Sequence, residues 1–98
     1  MNSPLTGKPT LVQKEEISKL HFPKEDVLKT IEEQKELKAS IERAMKLGNN
    51  YKGKVKIVFE DDCGVKAVET TIWAFTDKNL LLNQTTLIPL RRILEIRI

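Results

Sequence analysis

Histidine and cysteine are almost absent from this sequence, which contains one of each, His21 and Cys63. A single cysteine excludes an internal disulfide, and a single histidine excludes a metal site built from several histidines. Aromatic residues make up only 5% of the chain, so we expect a core of Leu, Ile and Val. These shortages argue against a small secreted protein stabilised by disulfides, and they predict a cytoplasmic protein.

Long apolar runs are missing as well. No stretch approaches the roughly 20 apolar residues of a membrane span. Residues 1–10 lack the apolar segment of a signal peptide and contain two prolines and one glycine. We expect them to form a flexible arm, followed by a single domain over 11–98. The net charge of +3 permits nucleic acid as a partner without requiring it.

Groups that could perform catalysis are also scarce. The glycines are scattered, so no phosphate-binding loop is predicted. Asp61-Asp62-Cys63-Gly64 has the composition of a turn, and it is too short to wrap a hard metal ion. The only histidine available to activate Cys63 is His21, which lies far away in the sequence. The sequence therefore predicts a protein that is not an enzyme, with no catalytic residue, metal, cofactor or small-molecule substrate.

An amphipathic helix is predicted over about 23–47. Pro23 suits the first helical position, and Gly48 suits the stop after the last turn. The apolar stripe is interrupted by Gln34 and Lys38, which divides it into two patches. The patch in the second half consists of Leu37, Ile41, Ala44 and Met45. The patch in the first half consists of Val27, Leu28 and Ile31.

The two patches have different expected roles. The second patch is compact enough to dock on a sheet. The first lies beyond the reach of one small barrel, so we expect it to pack on Ile17 and Leu20 or, alternatively, on a second copy of the protein. Val27, Leu28 and Ile31 are therefore the candidate partner-binding residues.

After the helix, the hydrophobic period changes from 3.6 to 2, which is typical of strands. Residues 54–59 alternate between polar and apolar. Residues 65–75 form the longest run of β-branched and aromatic residues. The face that carries the apolar residues changes near the middle of this run, so we expect a bent strand shared by two sheets. Three short strands follow, at about 80–82, 86–90 and 93–98, which completes a five-stranded antiparallel meander over about 52–98.

A long bent second strand and a brief turn before the fifth give residues 52–98 the element order of small barrels. In this respect the segment resembles an SH3-like or Sm-like barrel. The resemblance implies an α+β fold in which an N-terminal amphipathic helix precedes a closed, five-stranded antiparallel β-barrel. The RNA-binding motifs of the Sm family, an Asp-x-apolar-Asn segment and a later Arg-Gly segment, are not matched, so no residue role is carried over.

Basic residues define a candidate nucleic-acid surface. Lysines at alternate positions project from one face of the first barrel strand, and closure of the barrel would set the last strand beside it. The stripe expected from this arrangement consists of Lys52, Lys54, Lys56, Arg91, Arg92 and Arg97. Such a stripe is sufficient for contact with phosphates, but single-strand recognition also needs exposed aromatic residues. We expect Trp73 to lie beneath the second helix patch; exposed beside Lys54, it would favour nucleic acid instead.

Two functions follow from these patterns. The first is a non-enzymatic interaction module that self-associates or binds a protein partner. The alternative is a weak, sequence-tolerant RNA- or DNA-binding protein that uses the basic stripe. A ligand-sensing barrel is disfavoured, because a barrel of only five short strands is filled by its own side chains.

Overall fold

A computed structural model describes residues 9–51, 54–83 and 85–97, with only the backbone of 47–51. These residues form seven strands, one α-helix and two 3₁₀ segments. In chain order they are β1 (Thr10–Leu11), a 3₁₀ helix (Lys14–Lys19), α1 (Ile31–Tyr51), β2 (Val55–Asp61), β3 (Gly64–Thr70), β4 (Ala74–Phe75), β5 (Asn79–Leu81), β6 (Leu87–Pro89), a 3₁₀ turn (Leu90–Arg92) and β7 (Ile93–Arg97). In this part of the chain, no helix has both the length and the apolar content that a membrane span requires.

The strands form two separate sheets. The first has the order β1-β3-β2-β7 and the second the order β4-β5-β6. β1 runs parallel to β3, and the other neighbouring strands are antiparallel. Among the described residues no pairing joins the two sheets, so the closed antiparallel barrel predicted from the sequence is wrong. The two halves of the predicted long strand at 65–75 do lie in different sheets. They form two separate strands, β3 and β4, because residues 71–73 between them have no strand structure.

The helix is also displaced from its expected place. It lies in the middle of the chain, after β1 and the 3₁₀ helix, and it begins at Ile31, so the prediction of an N-terminal helix that begins at 23 is wrong. A capping box fixes the start: Thr30 Oγ1 accepts a hydrogen bond from the Glu33 backbone N–H at 3.1 Å. In return, a Glu33 carboxylate oxygen accepts from the Thr30 N–H at 3.3 Å. The two bonds satisfy donors that a helix start otherwise leaves unpaired.

The second helix patch packs on the sheets as expected. Leu37, Ile41 and Ala44 are buried, and α1 contacts β7. From the strands, the same core receives Val55, Ile57, Phe59, Val68, Leu80, Ile88 and Ile93. Ile17, from the 3₁₀ helix, is also fully buried in it, and Leu20 packs against it. The 3₁₀ helix at Lys14–Lys19 is therefore part of the domain.

Residues 21–30 form no regular element and are attached to the sheet by the guanidinium group of Arg92. Its Nη1 donates to the Glu25 carbonyl oxygen at 2.7 Å, and its Nε donates to the Glu60 carbonyl oxygen at 3.0 Å. Its Nη2 lies 3.3 Å from the Glu60 carboxylate. The neighbouring Arg91 accepts at its carbonyl from the Val27 N–H at 2.8 Å. We call this set of contacts the Arg92 clamp.

We predict that Arg92→Met lowers the free energy of unfolding by about 2–4 kcal/mol, because the carbonyls of Glu25 and Glu60 and the Glu60 carboxylate lose a buried donor. Arg92→Lys is expected to recover only part of the loss, since an ammonium group lacks the planar fork that reaches both carbonyls. Urea unfolding followed by circular dichroism measures both. Arg43→Met, at an exposed helix position, is the matched control. Equal stabilities for the Arg92 and Arg43 variants would contradict the clamp.

Candidate functional site

Part of the predicted basic stripe is present on the outer face of the first sheet. Lys54 is exposed, and Lys56 lies directly opposite Arg97 on β7. Lys56 also lies opposite Glu69 on β3. Arg97 Nε is 2.6 Å from a carboxylate oxygen of Glu95, and the hydrogen bond and charge of Glu95 raise the pKa of Arg97. Acidic side chains therefore border this basic face on both sides.

Arg91 and Arg92, also predicted for the stripe, do not join it. Arg91 and Arg92 lie at the opposite end of β2, where Arg92 is buried in its clamp and Arg91 Nε donates to the Pro23 carbonyl at 3.4 Å. Lys52 lies outside the described residues. Sequence pattern alone does not separate these arginines from solvent-exposed ones, because their partners are backbone carbonyls of distant segments.

The candidate partner-binding residues are not on one helical face. Val27 and Leu28 precede the helix and are half-buried. The Leu28 side chain packs against the core, and its carbonyl accepts from the Gln34 side-chain amide at 3.0 Å. Ile31, the first residue of the helix, is 66% exposed. Ile31 is therefore the member of this set with the most surface available to a partner.

Asp61 organises the turn between β2 and β3. Its Oδ1 accepts from the N–H groups of Cys63 and Gly64 at 2.8 and 3.0 Å, and its Oδ2 lies 2.8 Å from Lys66 Nζ. Burial by itself would raise the pKa of Asp61. The hydrogen bonds from Lys66, Cys63 and Gly64, together with the positive charge of Lys66, outweigh it and hold the pKa below its ordinary value of 3.8. Gly64 has a φ of 138°, which a side chain would disfavour.

The same turn brings together possible metal ligands and a thiol. Ligand atoms of Asp61, Asp62 and Cys63 lie within 4.8 Å of one another. However, the Asp61 carboxylate already holds the Lys66 ammonium group, which would repel a metal ion. A hydrogen bond to Asp62 and its negative charge raise the pKa of the Cys63 thiol above its ordinary value of 9.0, so this thiol is a poor nucleophile at neutral pH. The arrangement stabilises a turn rather than a reaction.

An exposed apolar surface lies on the second sheet. Ala74, Leu81 and Leu87 are in register on adjacent strands, and Leu87 is 44% exposed. The next register row, Phe75 with Leu80 and Ile88, faces the core. We call Trp73, Leu81 and Leu87 the apolar row. In the strand register Ala74 lies opposite Leu81, and Trp73 is joined to Leu81 by a backbone hydrogen bond from its N–H to the Leu81 carbonyl at 2.9 Å.

The Trp73 side chain is 54% exposed and is not among the core residues. The expectation that it lies beneath the helix is therefore wrong. The sequence does not reveal that Leu81 faces outward, because the three consecutive leucines at 80–82 all have the composition of a buried strand. A strict alternation through 80–82 was the only signal that could have placed Leu81 outward.

Comparison with family models, curated proteins and solved structures finds no match to this chain. The functional assignment therefore depends on the chemistry and geometry of its own residues.

A pocket of about 240 Å³ lies where the helix start meets the β4–β5 turn. Its apolar floor contains Leu28, Leu37 and Leu90, and its charged rim contains Asp26, Lys38, Asp77, Lys78 and Arg91. Ligand sites typically occupy about 300–1,000 Å³. This pocket is smaller than that range. A second cavity of about 730 Å³, beside the 61–64 turn, is lined mainly by charged residues, whereas ligand sites are mostly apolar. The surfaces above are therefore better candidates for a binding site.

We predict that Asp61→Asn lowers the free energy of unfolding at pH 7 by about 1.5–3 kcal/mol, the value of a hydrogen bond to a charged group. The pKa of Asp61 is lower in the folded than in the unfolded chain, so its contribution is complete above the unfolded value. It is lost as the pH falls below about 4 and the carboxylate becomes protonated. The difference between wild type and variant should therefore narrow in acid.

Urea unfolding of both proteins between neutral and acid pH measures this narrowing. Asp62→Asn, at the exposed neighbouring position, is the matched control and should show a much smaller loss at pH 7. A difference between wild type and Asp61→Asn that stays constant into strong acid would show that the charge of Asp61 contributes nothing.

Proposed function

We propose that the protein is a non-enzymatic interaction module that self-associates or binds a protein partner. The observation that supports this most directly is the outer edge of β7, beside which no strand lies among the described residues. Strand edges with unpaired backbone groups can recruit further strands, and short length and proline are two of the features that prevent it. β1 and β4 have two residues each, and β6 has three and ends in Pro89. β7 has five residues and no proline.

The apolar row supports the second part of the proposal, binding of a different protein. Trp73 carries a large apolar surface and an N–H donor, the combination that dominates many protein interfaces. Leu81 and Leu87 lie in register with each other, and the Leu81 carbonyl accepts from the Trp73 backbone N–H. Leu11 and Ile31 are also exposed, but single exposed apolar residues are common on protein surfaces. Ile31, with Val27 and Leu28, stays a secondary candidate contact.

The proposal places the module in the cytoplasm. Cys63 is exposed, and a reducing compartment keeps an exposed thiol from forming disulfides between molecules.

The self-association part predicts a weak dimer whose population rises with protein concentration, because a single strand edge offers a small interface. Size-exclusion chromatography with light scattering measures the mass. Trp73 is the only tryptophan in the sequence. If the dimer forms at β7, the fluorescence emission of Trp73 should not change on association and should remain that of an exposed indole. A blue shift on association would place the interface at the apolar row instead. A strict monomer at the highest attainable concentration would remove self-association.

Nucleic-acid binding remains the second candidate, and the exposure of Trp73 favours it. Val55 pairs with Thr70, the last residue of β3. Lys54 precedes Val55 and therefore lies at the same end of the first sheet, where the chain leaves β3 and continues to Trp73. A base could stack on this indole while lysines contact phosphates. It ranks second because Glu69 and Glu95 flank the stripe and Arg92 is buried.

This alternative predicts that a single-stranded oligonucleotide quenches Trp73 fluorescence at low salt, and that the affinity falls steeply as salt is added. The double change Lys54→Glu and Lys56→Glu should abolish the quenching, whereas Lys35→Glu with Lys46→Glu, at exposed helix positions, should not. Absence of binding at low salt would end this candidate.

A further inference from the structure

β7 has two chemically different faces beside its open edge. Ile93 and Ile96 face the core. Glu95 and Arg97 lie exposed on the outer face. The register with β2 shifts between Val58 and Phe59, so that Leu94 is an additional residue on β7. The regular part of the edge is therefore the segment 95–97, in which a carboxylate and a guanidinium group flank one apolar residue.

This short pattern is complementary to itself when two copies pair in antiparallel fashion. A two-fold axis at Ile96 sets Glu95 opposite Arg97 of the second copy and Arg97 opposite its Glu95. An axis at Glu95 would set two carboxylates against each other, and an axis at Arg97 two guanidinium groups, and directly opposed like charges destabilise a sheet. A shift by one residue would oppose a core-facing side chain to an outward-facing one. Charge and alternation together allow one register.

The charges on the outer face also favour that register. On β2, Arg97 faces the like charge of Lys56, and Glu95 faces the apolar Val58. Within the described residues, the other side of each has no strand beside it. Glu95 and Arg97 already pair with each other along β7 at 2.6 Å, and a second copy would add a further carboxylate next to Arg97 and a further guanidinium group next to Glu95. Both groups are about half exposed, so pairing would leave part of each in contact with water and cost little desolvation.

We propose that β7 pairs with β7 of a second copy of this chain, antiparallel and centred on Ile96. The two four-stranded sheets then form one continuous sheet across the two-fold axis, an interface in which the same surface serves both copies. The inference rests on the self-association part of the proposed function, and it names the surface and the register.

Charge reversal tests this register. Glu95→Arg and Arg97→Glu each replace both predicted ion pairs by like-charge pairs. The dimerisation affinity of each variant should therefore be lower than that of wild type by roughly tenfold or more. An equal mixture of the two variants should form a heterodimer, because each position 95 then faces a position 97 of opposite charge. The double variant Glu95→Arg/Arg97→Glu should dimerise as wild type does. Light scattering gives the mass, and native mass spectrometry identifies the heterodimer.

The possible outcomes separate the register from the proposed function. Both positions are exposed, and circular dichroism of each variant checks that it is folded. A wild-type dimer that neither substitution weakens, or a mixture that forms no heterodimer, would overturn the pairing at β7 while self-association stands. A wild-type protein that stays monomeric would overturn both.

Discussion

The buried guanidinium group of Arg92 determines how the segment before the helix meets the sheet. A buried charge is stable only when its hydrogen-bonding capacity is satisfied and a counter-charge is near. Glu60 supplies the carboxylate, and the carbonyls of Glu25 and Glu60 supply neutral acceptors. Because these acceptors belong to two distant segments, one side chain orders a stretch that has no regular structure of its own. The same contacts remove Arg92 from any role in binding phosphate.

The clamp also explains why the helix starts where it does. In a helix that began at 23, the carbonyl of Pro23 would accept from the Val27 N–H, and that of Glu25 from the Lys29 N–H. Instead, the Val27 N–H donates to Arg91, and the Glu25 carbonyl accepts from Arg92. The helix therefore begins after these tertiary bonds, at the capping box of Thr30 and Glu33. Pro23 is a valid local signal for a helix start, but long-range contacts override it.

Local patterns predicted well those features that depend on local physics. The second helix patch, the alternation of β2 and the turn at 61–64 follow from periodicity and turn chemistry, and the structure contains all three. Closure of a barrel depends on contacts between distant strands, which the sequence pattern does not encode, and that prediction failed. The prediction of the basic stripe was partly right. β7 does lie beside β2 and sets Arg97 opposite Lys56. Arg91 and Arg92 instead donate to carbonyl groups of distant segments, which a local pattern does not reveal.

The two candidate surfaces lie at different sheets, which matters for how the proposed interaction module would bind a partner. Pairing at β7 involves no residue of the apolar row, so a dimer would present two copies of Trp73 and its neighbours. Linking two weak sites in one particle makes the second binding event effectively intramolecular, and avidity rises without any new contact, provided that both sites can be reached together. A weak edge-to-edge dimer would therefore make binding of a divalent or repetitive partner depend on the concentration of the module. A monomer would bind the same partner only through a single apolar row.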